Sequence, residues 1–139
     1  MPTVTDTFQL VVCALGDEEY GLPVGQVREI VRYTEPRPVA SDVPWMRGVI
    51  SLRGRLVPVH DLAVRLGLPS ASAAAVPSEA AKLVIVETAD EPVGVLVDDV
   101  VEVLTVEPGQ LEPVPSGSGR IARVGERLVL LLDGEELGS

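Results

Sequence analysis

The side chains that most often carry chemistry are few here and poorly spaced for it. His60 is the one histidine and Cys13 the one cysteine. His60 is followed by Asp61, the only histidine–carboxylate neighbour pair. Adjacent residues on a strand point to opposite faces, so this pair is badly placed as a general acid–base dyad. Asp61 reads better as a helix N-cap, and Asp133 fits the same role. Cys13 lies inside an apolar run and reads as a small buried hydrophobe. One cysteine and one histidine do not make the usual zinc ligand sets, and a lone cysteine closes no intrachain disulfide. The acids at 17–19 and 98–99 lack the spacing of a calcium loop and read as solvated turns. Gly117-Ser118-Gly119 is followed by neither a third glycine at the phosphate-loop spacing nor Gly-Lys-Ser/Thr, and no serine sits in a Gly-x-Ser-x-Gly elbow. These residues point to a binding or scaffolding module and away from an enzyme.

The elements that would position such residues are mostly strands. The chain has 25 valines. Residues 8–15, 82–86, 93–97, 100–106 and 127–132 are short runs rich in β-branched or aliphatic residues, separated by acidic, Gly or Pro turns. This spacing predicts an all-β barrel or sandwich. Residues 16–19, 89–92 and 53–55 read as hairpin turns. Twelve prolines argue against long helices. Two helical turns are expected, at 44–47 behind Pro44 and at 61–66 between Asp61 and Gly67. Residues 69–81, rich in Ala, Ser and Pro, read as a linker, and 116–119 as a second loop.

The sequence also repeats itself. Shifting by 73 positions lays Leu10–Val31 over Leu83–Leu104 with eight of 22 pairs identical, more than valine content alone produces. A shift of 72 lays Arg55-Leu56-Val57 and Asp61 over Arg127-Leu128-Val129 and Asp133. Two copies of one small β unit follow, about 8–68 and 82–137. Each is too small to bury much core alone, and together they leave a groove for a ligand or partner.

Composition bounds the partners. The 139 residues make one domain or two small subdomains. Eleven basic against 21 acidic residues give a net charge of −10, which repels nucleic acid and anionic lipid. The arginines look scattered, with no local basic patch. The first residues carry Asp6 and no basic residue, wrong for a signal peptide. No apolar stretch is long enough to cross a bilayer. A cytoplasmic protein is expected, with no nucleic-acid partner.

Several strings now stand in order: FQLVVCALGDEEYG at 8–21, VREI at 27–30, PWMRGVISLRGRLVPVHDL at 44–62, VGVLVDDVVEVL at 93–104 and RLVLLL at 127–132. Together they resemble the CheW family, the coupling proteins of bacterial chemotaxis, over nearly the whole chain. The resemblance implies two five-stranded SH3-like β-barrels packed together. It implies an adaptor, without catalysis or cofactor, that links transmembrane chemoreceptors to the histidine kinase CheA. The partners would be the helical cytoplasmic tip of the receptor and the kinase's regulatory domain, so that any membrane association is indirect. Carried over residue by residue, the receptor groove takes Val27, Glu29 and Ile30 from the first barrel. It takes Arg53 of the Leu-Arg-Gly motif with Gly48 and Gly54 beside it. Leu83, Val100 and Val103 come from the second. Arg53 supplies a forked donor to a receptor, or else braces Glu29 across the groove. Gly48 and Gly54 read as backbone geometry. The kinase contacts are implied at hairpin ends, with no residue singled out. His60 stands where the family usually has an apolar residue, and the terminal helix is reduced to a turn. A scaffold for a non-chemotaxis signalling array, and a small-ligand-binding or enzymatic barrel, are the alternatives.

Overall fold

The computed structural model describes residues 7–68, 77–115 and 119–137. Eleven strands and two single-turn helices follow in order. They are β1 (Phe8–Leu15), β2 (Glu18–Pro23), β3 (Val27–Arg32), β4 (Met46–Leu52), β5 (Arg55–Asp61), α1 (Leu62–Arg65), β6 (Lys82–Val86), β7 (Val93–Val97), β8 (Asp99–Val106), β9 (Leu111–Pro113), β10 (Arg120–Val124), β11 (Arg127–Leu131) and α2 (Gly134–Leu137). The all-β expectation holds. The strands form a six-stranded sheet in the order β8-β1-β2-β11-β10-β9 and a five-stranded sheet in the order β3-β6-β7-β5-β4.

The turns obey local chemistry. Gly16, with φ 59°, and Asp17 close the β1–β2 hairpin, in which Leu15 faces Glu18. Thr88 Oγ1 accepts from the Asp90 and Glu91 amides and so folds the β6–β7 connection. Asp61 caps α1 through the Val64 amide, and Gly67 with φ 68° ends that turn, as expected. The helical turn expected at 44–47 is absent. Residues 44 and 45 form a turn and Met46 already begins β4 opposite His60. Strand pairing wins because it places Arg47 Nε 2.9 Å from the buried Asp61 carboxylate. The linker at 69–81 falls mostly outside the described residues, as do 116–118; within it, Ala81 is buried beneath the five-stranded sheet.

Each sheet draws strands from both halves of the chain. β1 and β2 join β8 to β11, whereas β6 and β7 join β3 to β5. The two sequence copies therefore do not coincide with the two sheets. Once this exchange is allowed, the repeat is exact in order: β3-β6-β7-β5-β4 matches β8-β1-β2-β11-β10, with parallel ladders at β5–β7 and β2–β11. The sixth strand, β9, also has a vestige. Arg37 bridges Val49 as Glu112 pairs with Ile121, 72 positions after Val49. The six strands in place of an expected five come from this short edge strand.

The same alternation fills three cores. One lies between the sheets and holds Val11, Cys13, Tyr20 and Leu22 from one and Val84, Val86, Val93 and Val95 from the other. A second, of Ile50, Val57, Leu83 and Ile85, belongs to the five-stranded sheet alone. The third, of Leu10, Val12, Ala122 and Val129, belongs to the six-stranded sheet. Repeat partners sit in matching cores: Leu10 with Leu83, Val11 with Val84, Ile50 with Ala122, Val57 with Val129.

Gly48 fixes how the chain crosses from β3 back to β4. Its φ is +140°, and a Cβ built there would lie 2.2 Å from the Arg37 carbonyl oxygen. Gly54, at φ +81°, has open space around it. Gly48→Ala is therefore expected to cost about 3 kcal/mol of stability, against about 1 kcal/mol for Gly54→Ala. Urea unfolding of the two variants beside the parent chain checks this. Equal losses would mean that Arg37 simply moves aside.

Candidate protein-docking site

β3 alternates inward Val27, Glu29 and Val31 with outward Arg28, Ile30 and Arg32. Opposite it in the sheet order stands the β4–β5 hairpin, whose two-residue turn is Arg53 at φ 52° and Gly54 at φ 81°. Positive φ at both central positions is the twist a tight hairpin needs, and Gly54 provides it without steric cost. The turn aims Arg53 back at β3. Its Nε and Nη2 donate to the two Glu29 carboxylate oxygens at 3.1 and 3.0 Å. β3 and β4 are the two end strands of their sheet, so this fork draws the ends of the sheet together. The brace of Glu29 by Arg53, the alternative to a receptor contact in the sequence reading, is thus present.

The pair is asymmetric. The Arg53 side chain is 73% exposed and that of Glu29 only 20%. The Arg53 hydrogen bond, with the charges of Arg53 and Arg28, holds the Glu29 carboxyl below the usual carboxylate range. The Glu29 bond raises Arg53 in turn. Arg53 is a permanently charged outer layer over a shielded carboxylate, and its Nη1 donors are not engaged by Glu29.

Around this pair lie Arg28, Arg55, Leu52 and Val57, lining a dimple of about 30 Å³. Next to it an open groove of about 590 Å³ runs between the end of β3 and β4, lined by Val31, Thr34, Val49, Ile50, Leu52 and Leu56 among others. Leu56 is 69% exposed. Sequence reading passed over Leu56 and Leu52. Strand alternation was the available signal, since Leu56 is out of phase with the buried Val57 and Val59. The arginines are not scattered either. Residues 24–65 carry seven arginines against four acids, and the remainder of the chain four basic residues against seventeen acids. Three of those arginines, Arg28, Arg53 and Arg55, meet at the dimple, where Arg28 is paired with Glu87 and Arg53 with Glu29.

The nine expected groove residues divide. Glu29, Arg53 and Gly54 come together, with exposed Ile30 one residue along β3. Val27 is half-buried against the core between the sheets, and Gly48 is buried against residue 37. Val100 and Val103 lie on β8, at the edge of the other sheet, with Val103 53% exposed and Val100 packed inward. Leu83 is no surface residue. It is fully buried in the core of the five-stranded sheet, because β6 is flanked by strands on both sides and covered on both faces. The exposed apolar positions obey the repeat too: Ile30 matches Val103, and Leu56 matches Leu128.

A model of the CheW-like domain matches residues 9–139. The chain belongs to the CheW-like family. It is similar to the probable chemotaxis protein CheW of Rhizobium etli, 33% identical over 125 residues, spanning 90% of this chain and 78% of that protein. It is 33% identical over 109 residues to the chemotaxis protein CheW of Bacillus subtilis, spanning 78% of this chain and 67% of that one. The crystal structure of the scaffolding protein TtCheW from Thermoanaerobacter tengcongensis superposes with a TM-score of 0.85 at 26% identity, covering all of this chain and 90% of that one. Family and fold together make this CheW-like chain a chemotaxis scaffold. Among the described residues, no helix is long and apolar enough to cross a membrane, and no group of three or more His, Cys, Asp or Glu is placed to hold a metal ion.

His60 marks a second corner of this CheW-like chain. Its Nδ1 lies 3.2 Å from the Leu137 carbonyl oxygen. Burial, with the nearby Arg65 charge, lowers its pKa below the ordinary 6.5, against a raising effect of the Leu137 bond. A histidine depressed in the folded state favours the neutral form there. Its contribution to stability is complete above pH 6.5 and is lost as pH falls through the lower folded value. Melting temperatures at pH 7.5 and pH 5 are expected to fall further in the parent chain than in His60→Gln. The same drop in both would remove His60 from the acid response.

Proposed function

We propose that this CheW-like protein is a non-catalytic cytoplasmic adaptor that couples the helical cytoplasmic tip of a chemoreceptor to the regulatory domain of the kinase CheA. The observation that carries the reading is the Arg53–Glu29 fork. It presents one oriented cation beside an open, mostly apolar groove on an acidic protein. A helical hairpin docks by laying an apolar face into such a slot, and a few directed charges set its register. Arg53 would address a receptor carboxylate or carbonyl with the donors that Glu29 leaves unengaged. Ile30 would supply apolar contact beside it, with Val27, Gly48 and Gly54 shaping the strand and turn beneath. Val103 would extend the contact onto the second sheet, with Val100 packed inward on the same strand. In this reading the whole chain acts as one domain.

Two groups speak against hidden catalysis. Burial pushes the Cys13 thiol up to about 12, so it is no thiolate nucleophile at neutral pH. His60 is bonded to a backbone carbonyl, and its neighbour Asp61 is bonded to Arg47 and the Val64 amide.

Arg53→Glu is expected to weaken binding of a receptor cytoplasmic fragment at least about tenfold, because it reverses the charge presented to the partner and repels Glu29. The thermal melt should stay close to that of the parent chain, since the pair lies at an exposed turn. Titration calorimetry with the fragment, beside circular dichroism, measures both. Unchanged affinity would remove Arg53 from the interface.

A further inference from the structure

After β11 the chain leaves the six-stranded sheet and is stitched to other parts of the fold at four points. The Leu132 amide donates to the Gly21 carbonyl of β2 at 2.8 Å. Gln26 holds the next two residues: its Nε2 donates to Asp133 Oδ1 at 3.2 Å, and its Oε1 accepts from the Gly134 amide at 2.7 Å. Gln26 belongs to the 3-10 turn, Val24–Gln26, by which the chain passes from β2 of one sheet to β3 of the other. Its own carbonyl accepts from the Glu87 amide at 2.8 Å, beyond the end of β6. At the far end Leu137 is buried in the core between the sheets, and His60 of β5 bonds its carbonyl. Gly134 is held so closely that a Cβ there would stand 2.4 Å from Val86 Cγ1.

We infer that residues 132–137 form a strap that fixes the angle between the two sheets and opens as a unit while both sheets stay folded. The anchors differ in kind from those of the sheets. β1 and β6 are held by ladders on both sides and buried on both faces. The strap is held by one backbone bond that extends the β2–β11 ladder, from Leu132 to Gly21, and beyond it by the side-chain hydrogen bonds of Gln26 at or near the surface, the burial of Leu137 and the partial burial of Leu132. Segments with so few ladder bonds open at lower free energy than the strands they cover. The strap starts in one sheet and ends on the other, spanning the same crossover that Gln26 occupies. Its release therefore loosens the hinge between the sheets and leaves each sheet intact. The consequence for docking rests on the proposed adaptor role: Arg53 and Ile30 stand on one sheet and Val103 on the other, so a partner touching both would sense the hinge. The strap itself does not depend on that role.

Two measurements that need no partner test it. Hydrogen exchange under native conditions should show the Leu132 and Leu137 amides exchanging together and faster than those of β1 and β6. Gln26→Ala should speed both about tenfold and leave β1 and β6 unchanged. Exchange of all four regions at one common rate, or acceleration of only one of the two amides, would overturn the strap. Paired nitroxide labels at Ile30→Cys and Val103→Cys then report the hinge, the buried Cys13 remaining unlabelled. A narrow distance distribution is expected in the otherwise unmodified chain, with broadening or a shift in Gln26→Ala and in Gly134→Ala. An unchanged narrow distribution in Gln26→Ala, with its strap exchange accelerated, would show that the strap opens without setting the angle and would overturn that part.

Discussion

Everything in this protein depends on strands that serve two cores at once. β1 sends Leu10 and Val12 into the core of its own sheet and Val11, Cys13 and Leu15 into the core between the sheets. β6 does the same with Leu83 and Ile85 on one face and Val84 and Val86 on the other. No face of these strands is left for polar residues, which is why their sequences read as unbroken apolar runs. Neither sheet buries its outer face without the other, so the core between them is a condition of folding for both. The edge strands β3, β4 and β8, covered on one side only, are where exposed side chains become available for other work.

That division explains what was legible in the sequence. The apolar runs, the turns at 16–19, 53–55 and 89–92, the Asp61 cap and the repeat were all readable, because each is written in local residue types or in self-similarity. The exchange of strands was not. Leu10 and Leu83 look the same whether their strands pair within their own half or across halves, and only three-dimensional pairing separates these. The same limit misplaced Leu83: a groove position and a core position both ask for leucine. The site was half legible. Residues 53–55 were readable as a turn, but the fork from Arg53 to Glu29 stood only as an alternative, since nothing in the local residues says which strand the turn faces. The groove along β3 and β4 was missed because it is made by the closing of the sheet ends, which no short segment encodes. The concentration of arginines was visible in the numbering, yet it gains meaning only when Arg28, Arg53 and Arg55 meet around one dimple.

Charge is arranged with similar economy. Several glutamates are paired with arginines of the same chain: Glu29 with Arg53, Glu87 with Arg28, and Glu19 and Glu102 with Arg127. Exposed pairs of this kind add little to stability. Their effect is to fix where positive charge stands.

The strand exchange also governs how the protein must be made. Among the described strands β1 and β2 come first, yet their neighbours β8 and β11 follow after five and eight intervening strands. The six-stranded sheet has no way to form until β11, at the far end of this fold, has been made. Its first hairpin spends that time with two apolar faces uncovered. Closing such long loops slows folding and leaves the nascent chain open to wrong pairings, including pairing with the first hairpin of another copy. Cutting the chain at its middle would yield two pieces that each hold half of both sheets, so the halves are inseparable as folding units although they are duplicates as sequence.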